Sequence, residues 1–267
     1  MGYRNEVISS IEAKKKRGQK ITMLTAYDYP TGRMVDRAGI DAVLVGDSLG
    51  MVVLGYETTR KVTMDDMLHH ARAVRKGVER ALLVGDMPYM SCEPDEDAAV
   101  RNARRFIREA GCDAVKVEGG TGVVSRIEAI IADGIPVMGH VGLTPQSVDE
   151  GNGFKVKGRG KEDAEKIIKD AAAVQGAGCF SVVLECVPAV LAGKITAELT
   201  IPTIGIGAGP SCDGQVLVIH DLLGMFDKFV PKFVKRYADL NAEAVRAIEA
   251  FKQEVESGEF PSADSSF

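Results

Sequence analysis

The sequence predicts an α/β fold built as a (β/α)8 barrel, and three observations predict it. Eight short apolar runs recur through the 267 residues, mostly separated by stretches of helical periodicity. The runs do not alternate cleanly between apolar and polar, which is the pattern of parallel strands covered on both faces. Four of them end on or next to a carboxylate: Val43-Leu44-Val45-Gly46-Asp47-Ser48, Ala81-Leu82-Leu83-Val84-Gly85-Asp86, Ala114-Val115-Lys116-Val117-Glu118 and Ser181-Val182-Val183-Leu184-Glu185. In a parallel sheet those ends share one face. Eight βα units in this length favour a closed barrel, with a doubly wound sheet as the other arrangement the pattern allows. No linker or shift of composition divides the chain. One domain is expected over residues 1–267, with an N-terminal helix and a C-terminal helical extension.

Taken in order, residues 6–17 place Val7, Ile8, Ile11 and Ala13 among charges as a short amphipathic helix that Gly18 ends. Residues 21–26 form the first strand, 30–38 a helix and 43–47 the second strand. Ser48 to Thr63 reads as a long, Gly-rich, irregular loop of the kind that carries function. Thr63, followed by Asp65 and Asp66, is an N-cap for a helix to about Lys76. The third strand spans 81–86. The helix 94–110 has acids early and arginines late, as the helix dipole prefers. The fourth strand is 114–118, followed by the Gly119-Gly120 turn and a helix over 123–132. The fifth strand, 136–141, leads into a second long loop, Gly142 to Gly160, with glycines also at 151, 153 and 158. A helix over 161–175, a strand over 181–185, a helix over 188–199 and strands over 202–207 and 215–220 complete the barrel. One or two helices over 232–256 and a polar tail close the chain.

The bulk numbers narrow the function. With 33 basic and 38 acidic residues the net charge is -5, and no basic block could track a phosphate backbone, so nucleic acid is not an expected partner. The one basic run, Lys14-Lys15-Lys16-Arg17, reads as the solvated end of the first helix. No apolar stretch is long enough to span a bilayer, and no signal-type pattern opens the chain. The five cysteines form no CxxC pair, which fits a reduced compartment. A cytoplasmic protein is expected.

The chemistry should lie at the C-terminal ends of the barrel strands. Asp47, Asp86 and Glu118 would converge there from three successive strands. Three like charges repel, and a bound cation is the simplest compensation. Oxygen donors alone suit a hard ion such as Mg2+. Lys116, two residues before Glu118, points to the same side of its strand and needs either a carboxylate or an anionic substrate. Glu185, across the barrel from the three acids, reads as a general base, with a further metal ligand or a structural ion pair as the plainer alternatives. His140 ends the fifth strand, where a packing role and a catalytic role are equally open. His69, His70 and His220 carry no assigned chemistry, with His220 placed on the eighth strand. Ser48 could bind a substrate oxygen. Gly205-Ile206-Gly207-Ala208-Gly209 lacks the spacing of a dinucleotide loop and serves either a close ligand approach or a turn.

The motifs VLVGDSLGMVVLGYETT, VKVEGG, GHVGLTPQS, VLECVP and IPTIGIGAG, in that order, resemble the ketopantoate hydroxymethyltransferase family from about Ile21 to the VESGEFP segment. One stretch departs: Asn152-Gly153-Phe154-Lys155-Val156-Lys157-Gly158 stands where the family commonly has Gly-Gly-aromatic-Lys-Val-Gln-Gly. The resemblance implies a barrel of the phosphoenolpyruvate/pyruvate superfamily. It implies transfer of a hydroxymethyl group from 5,10-methylenetetrahydrofolate to 3-methyl-2-oxobutanoate, giving 2-dehydropantoate on the way to pantothenate. It further implies Mg2+ (or another divalent cation) on Asp47 and Asp86 with Glu118 completing the acidic shell. Asp47, Ser48, Asp86 and Lys116 would contact the ketoacid, Glu185 would accept the proton, and the chains would assemble as a homodecamer of two pentamers. A lyase or mutase of 2-oxoacids would share the barrel and the acids, but no reactive-cysteine loop of the isocitrate lyase sort is present.

Overall fold

A computed structural model describes residues 2–147, 155–228 and 230–267; Gly151, Gly153 and the Asn152–Phe154 part of the departing stretch lie outside the described residues. The chain divides into two compact units, Met1–Val218 and Ile219–Phe267.

The first unit is the barrel. Its elements run α1 (Gly2–Lys16), β1 (Ile21–Thr25), α2 (Tyr29–Arg37), β2 (Ala42–Val45), α3 (Leu49–Val52), α4 (Met64–Arg75), β3 (Leu82–Asp86), α5 (Glu96–Glu109) and β4 (Ala114–Glu118). There follow α6 (Val124–Ala132), β5 (Val137–Gly142), α7 (Lys161–Gly176), β6 (Ser181–Glu185), α8 (Ala189–Glu198), β7 (Thr203–Ile206) and β8 (Gly214–Leu217). The eight strands pair in sequence order and close, β8 against β1, with every pairing parallel. The doubly wound alternative is thereby excluded.

Local chemistry sets the helix starts. Asp28 caps α2 in a reciprocal capping box with Thr31, and Thr63 does the same for α4 with Asp66. Asp95 accepts from the Ala98 N–H at the head of α5. Ser48 to Thr63 is more ordered than its glycines suggest. It opens with α3, whose Leu49 is fully buried, and carries a 3-10 turn at Thr59–Lys61. The eighth strand is shorter than its apolar run, ending at Leu217, so His220 belongs to a helical turn and not to the sheet.

Successive residues of a strand face opposite sides, and the inward rows fill the barrel. Ile21, Met23, Ala42, Leu44, Leu82, Val84, Ala114, Met138, Val183, Ile204 and Val216 form one buried cluster with Ile11 of α1, against which Val7 and Ile8 also pack. Helix α1 therefore plugs the N-terminal end of the barrel. The basic run that ends it is not simply solvated. Lys14 donates to Asp41 and Lys15 to Asp213. Asp41 and Asp213 each also accept a backbone N–H and a hydroxyl, from Thr22 and Thr203 respectively. Two strand-start aspartates needed counter-charges, and the helix end supplies them.

The second unit holds α9 (Ile219–Leu222), α10 (Leu240–Ser257) and a final 3-10 turn at Ala263–Ser265. The expected helix over 232–256 begins later, at Leu240, because the Asp239 carboxylate takes the Ala242 N–H as an N-cap. Gly258, at φ 78°, ends it in the left-handed region.

Candidate active site

The inward rows change character along the strands. Leu82 and Val84 are followed inward by Asp86, Ala114 by Lys116 and Glu118, Met138 by His140, and Val183 by Glu185. Apolar residues thus fill the lower barrel and ionisable ones crown its C-terminal end. Register decides which neighbours meet: Asp86 lies beside Lys116, Glu118 beside His140, and Gly142 beside Glu185.

Lys116 Nζ is 2.6 Å from Asp86 Oδ1 and 3.3 Å from His140 Nδ1. The other Asp86 oxygen accepts the Asp47 N–H at 3.2 Å, which ties the turn after β2 to the end of β3. His140 stands between two carboxylates, with Nδ1 3.4 Å from Glu118 Oε2 and Nε2 3.1 Å from Glu185 Oε2. Ser48 Oγ lies 2.8 Å from the Tyr27 hydroxyl. The structure therefore gathers Asp47, Asp86, Lys116, Glu118 and Glu185 into one connected set, and Ser48 adjoins it through the chain. Glu185 does not stand apart as expected: His140 joins it to Glu118.

Gln146, which sequence reasoning passed over, is central. Its side-chain amide donates to Asp47 Oδ2 at 2.9 Å and to the Met87 carbonyl at 3.1 Å, and its backbone N–H donates to Glu118 Oε1 at 2.9 Å. A neutral amide in a loop gives no charge signal. Its place in GHVGLTPQS, four residues past the end of the strand that carries His140, was the one clue. Two backbone features shape the end of β6. Gly142, at φ 100°, comes so close that a Cβ there would lie 2.4 Å from the Glu185 carbonyl oxygen, and Leu143 N–H donates to that oxygen. Cys186, just after Glu185, takes φ 48°, an uncommon backbone for a side chain with a Cβ. In the glycine run after β7, Gly207 and Gly209 both have positive φ, so the run serves as a turn.

The site is dry. Asp86 and His140 are each 2% exposed and Lys116 4%. Burial drives the Asp86 carboxyl up to about 6, against the pull of Lys116 and with further help from Asp47. Burial also raises Asp47, Lys116 opposes it and Glu118 adds to it. Burial disfavours the Lys116 ammonium, but Asp86, Asp47 and Glu118 outweigh it and the lysine is held above its ordinary value. Burial and Lys116 push His140 down, and Glu118 and Glu185 overcome both to carry it to about 9.

Asp47, Asp86 and Glu118 offer oxygen donors of the kind a hard divalent ion takes. Among the described residues the cationic groups that these three acids and Glu185 meet are Lys116 and His140, an excess of negative charge that a cation would offset. Among the described residues no three His, Cys, Asp or Glu side chains are gathered as a ready cage. The positions explain this: Glu118 is turned toward Gln146 and His140, and an Asp86 oxygen is taken by Lys116. The donor chemistry fits the ion, with Asp47 and Asp86 as the adjacent pair.

A closed parallel (β/α)8 barrel with ionisable side chains gathered at the C-terminal end of its strands is the class that the fold and the site define. The fold is similar to that of a 2,3-dimethylmalate lyase, itself a PEP mutase/isocitrate lyase superfamily member, with TM-score 0.60 and 16% identity over 98% of this chain and 91% of that one. It is similar also to a phosphonopyruvate hydrolase solved with oxalate and Mg++, with TM-score 0.61 and 13% identity over 97% of this chain and 93% of that one. Within that class, the model of the ketopantoate hydroxymethyltransferase family matches residues 5–263. A 3-methyl-2-oxobutanoate hydroxymethyltransferase from Moorella thermoacetica is 57% identical, covering 100% of both chains. One from Syntrophomonas wolfei is 56% identical over 97% of this chain and 94% of its own. The chain belongs to the ketopantoate hydroxymethyltransferase family, and it is an enzyme of the transferase class.

Proposed function

We propose that the protein transfers a hydroxymethyl group from 5,10-methylenetetrahydrofolate to 3-methyl-2-oxobutanoate, forming 2-dehydropantoate for pantothenate biosynthesis. The observation that carries this reading is the buried chain of contacts from Asp86 through Lys116 and His140 to Glu185. It brings the Lys116 ammonium and the Glu185 carboxylate to the same end of the barrel, which supports an anchor for an anionic substrate and a base.

Asp47 and Asp86, with Glu118 as the third acid, would hold Mg2+ or another divalent cation, which supplies polarisation of the ketone oxygen and acidifies the neighbouring C3–H. Lys116 offsets the negative charge of the ketoacid in a medium where water cannot. The Asp47 and Ser48 turn, held by the Asp86 carboxylate and the Tyr27 hydroxyl, orients the substrate's oxygens. Glu185 takes the C3 proton, and the resulting carbon nucleophile forms its new C–C bond to the one-carbon unit as the bonds of that unit to the folate nitrogens break; water supplies the hydroxyl oxygen and tetrahydrofolate leaves. We further propose a cytoplasmic homodecamer of two pentamers.

The test is C3 hydrogen–deuterium exchange of 3-methyl-2-oxobutanoate in D2O, followed by NMR without folate and with and without Mg2+. Metal-dependent exchange that Glu185→Gln abolishes, while ketoacid binding persists, is the expected result. Exchange undiminished in Glu185→Gln would remove Glu185 as the base, and full turnover in chelator would remove the metal.

A further inference from the structure

His140 has no role in the reaction as derived, yet both of its ring nitrogens stand against charged groups. Lys116 Nζ is 3.3 Å from Nδ1, and an ammonium can only donate. A neutral ring must then carry its proton on Nε2. A doubly protonated ring, donating from Nδ1 to Glu118, carries one there as well. In both forms the neighbours permit, Nε2–H faces Glu185 Oε2 at 3.1 Å. The remaining form, protonated on Nδ1 alone, would set the Nε2 lone pair against one of the Glu185 carboxylate.

We propose that His140 is the positioning residue of the base, its Nε2–H holding Glu185 Oε2 so that Oε1 is the oxygen presented to the substrate's C3 proton. The inference rests on the reading of Glu185 as the base. Three observations support it. Of the two Glu185 carboxylate oxygens it is Oε2 that faces the ring. The Glu185 backbone is already fixed, its carbonyl accepting from Leu143 at 2.8 Å. The His140 ring is itself immobilised, 2% exposed and beside Glu118 in the register. The Nε2 contact is close but not aligned as a hydrogen bond here. The Glu185 side chain is 17% exposed, and catalytic contacts commonly tighten when substrate enters.

Two substitutions separate the two nitrogens. Glutamine can place an amide N–H where Nε2 stands, while asparagine reaches only as far as Nδ1. His140→Gln should lower kcat for C3 exchange by no more than about threefold. His140→Asn should lower it roughly 100-fold, the scale of a misplaced reacting group, with KM within about twofold. Added imidazole should restore exchange at least tenfold to His140→Ala, which keeps the test open if the asparagine variant does not fold. Equal losses in the two variants, the reverse order, a loss carried by KM alone, or no rescue would each overturn the proposal. Glu185→Gln is run beside them. If it retains exchange, the base reading itself fails; if it loses exchange while the His140 variants do not differ, only the positioning role fails.

Discussion

Removing Lys116 probes the electrostatics of the site most directly. In Lys116→Met the flexible stem is replaced by one of similar bulk, and the buried carboxylates of Asp86 and Asp47 lose the ammonium that faces them. Breaking a buried ion pair by deleting one partner costs about 3–5 kcal/mol, because an uncompensated charge remains. For a chain of this size each kcal/mol moves the melting temperature by roughly 2–4 °C, so the loss should be of the order of 6–20 °C. Its pH dependence is fixed by Asp86. The folded carboxyl titrates at about 6, above its ordinary 3.8, so the folded state binds the proton more tightly than the unfolded chain. Stability from this group is full below about 3.8 and is lost as pH rises through about 6, by roughly 3 kcal/mol at 1.4 kcal/mol per pH unit. Without Lys116 the folded value moves higher still. The variant and the parent should therefore differ little at pH 4 and diverge between pH 5 and 8. Thermal melts in chelator at pH 4 and pH 8 measure this. Adding Mg2+ at pH 8 should recover more stability in the variant than in the parent, since the ion replaces the missing charge. A loss equal at both pH values, or none at either, would refute the account.

Other expectations follow from single contacts. Gly142→Ala forces a Cβ to 2.4 Å from the Glu185 carbonyl oxygen at φ 100°; it should cost about 1–3 kcal/mol in urea denaturation and slow C3 exchange at least about tenfold. Gln146→Ala removes the amide shared by Asp47 and Met87; Mn2+ affinity, read by electron paramagnetic resonance, should fall about 10–100-fold, as when the supporting partner of a metal ligand is lost. Thr63→Ala dissolves the capping box of α4; it should cost about 1 kcal/mol in denaturation and leave C3 exchange unchanged.

The barrel and most of its site were legible in the sequence for the same reason. A strand covered on both faces must be apolar until it emerges, so a carboxylate at the end of such a run marks both the strand's direction and the polar face. Asp47, Asp86, Glu118 and Glu185 were readable on those grounds, and Lys116 by its two-residue spacing from Glu118. What was not legible depends on contacts between segments distant in sequence. Gln146 acts through neutral amide groups on acids from two other strands. The bridging position of His140 comes from the register of β4, β5 and β6, which no single run encodes. Lys14 and Lys15 read as solvated because Asp41 and Asp213, their partners, lie 27 and 198 residues away. The end of β8 was overrun because Ile219 continues its apolar pattern while the backbone has already turned into a helix.

The barrel alone does not choose between carbon–carbon bond formation and the bond cleavage carried out by lyases of the same architecture. The cysteines bear on the choice. A thiol that serves as acid or nucleophile needs a depressed pKa in a polar, accessible setting. Burial instead pushes Cys92, in the loop after β3, up to about 11, and Cys179 and Cys186 up to about 12. Burial likewise raises Cys212, and Cys112 is buried. Cys186 is next to the base in sequence, but its thiol is desolvated and further disfavoured as an anion by Glu185. None of these thiols is prepared to transfer a proton. In the proposed reaction that task falls to the carboxylate of Glu185, with the His140 imidazole 3.1 Å from it. The proposed hydroxymethyl transfer asks for a carboxylate to deprotonate carbon and a cation to meet an anionic ketoacid, and Glu185 and Lys116, joined through His140, are the groups at hand.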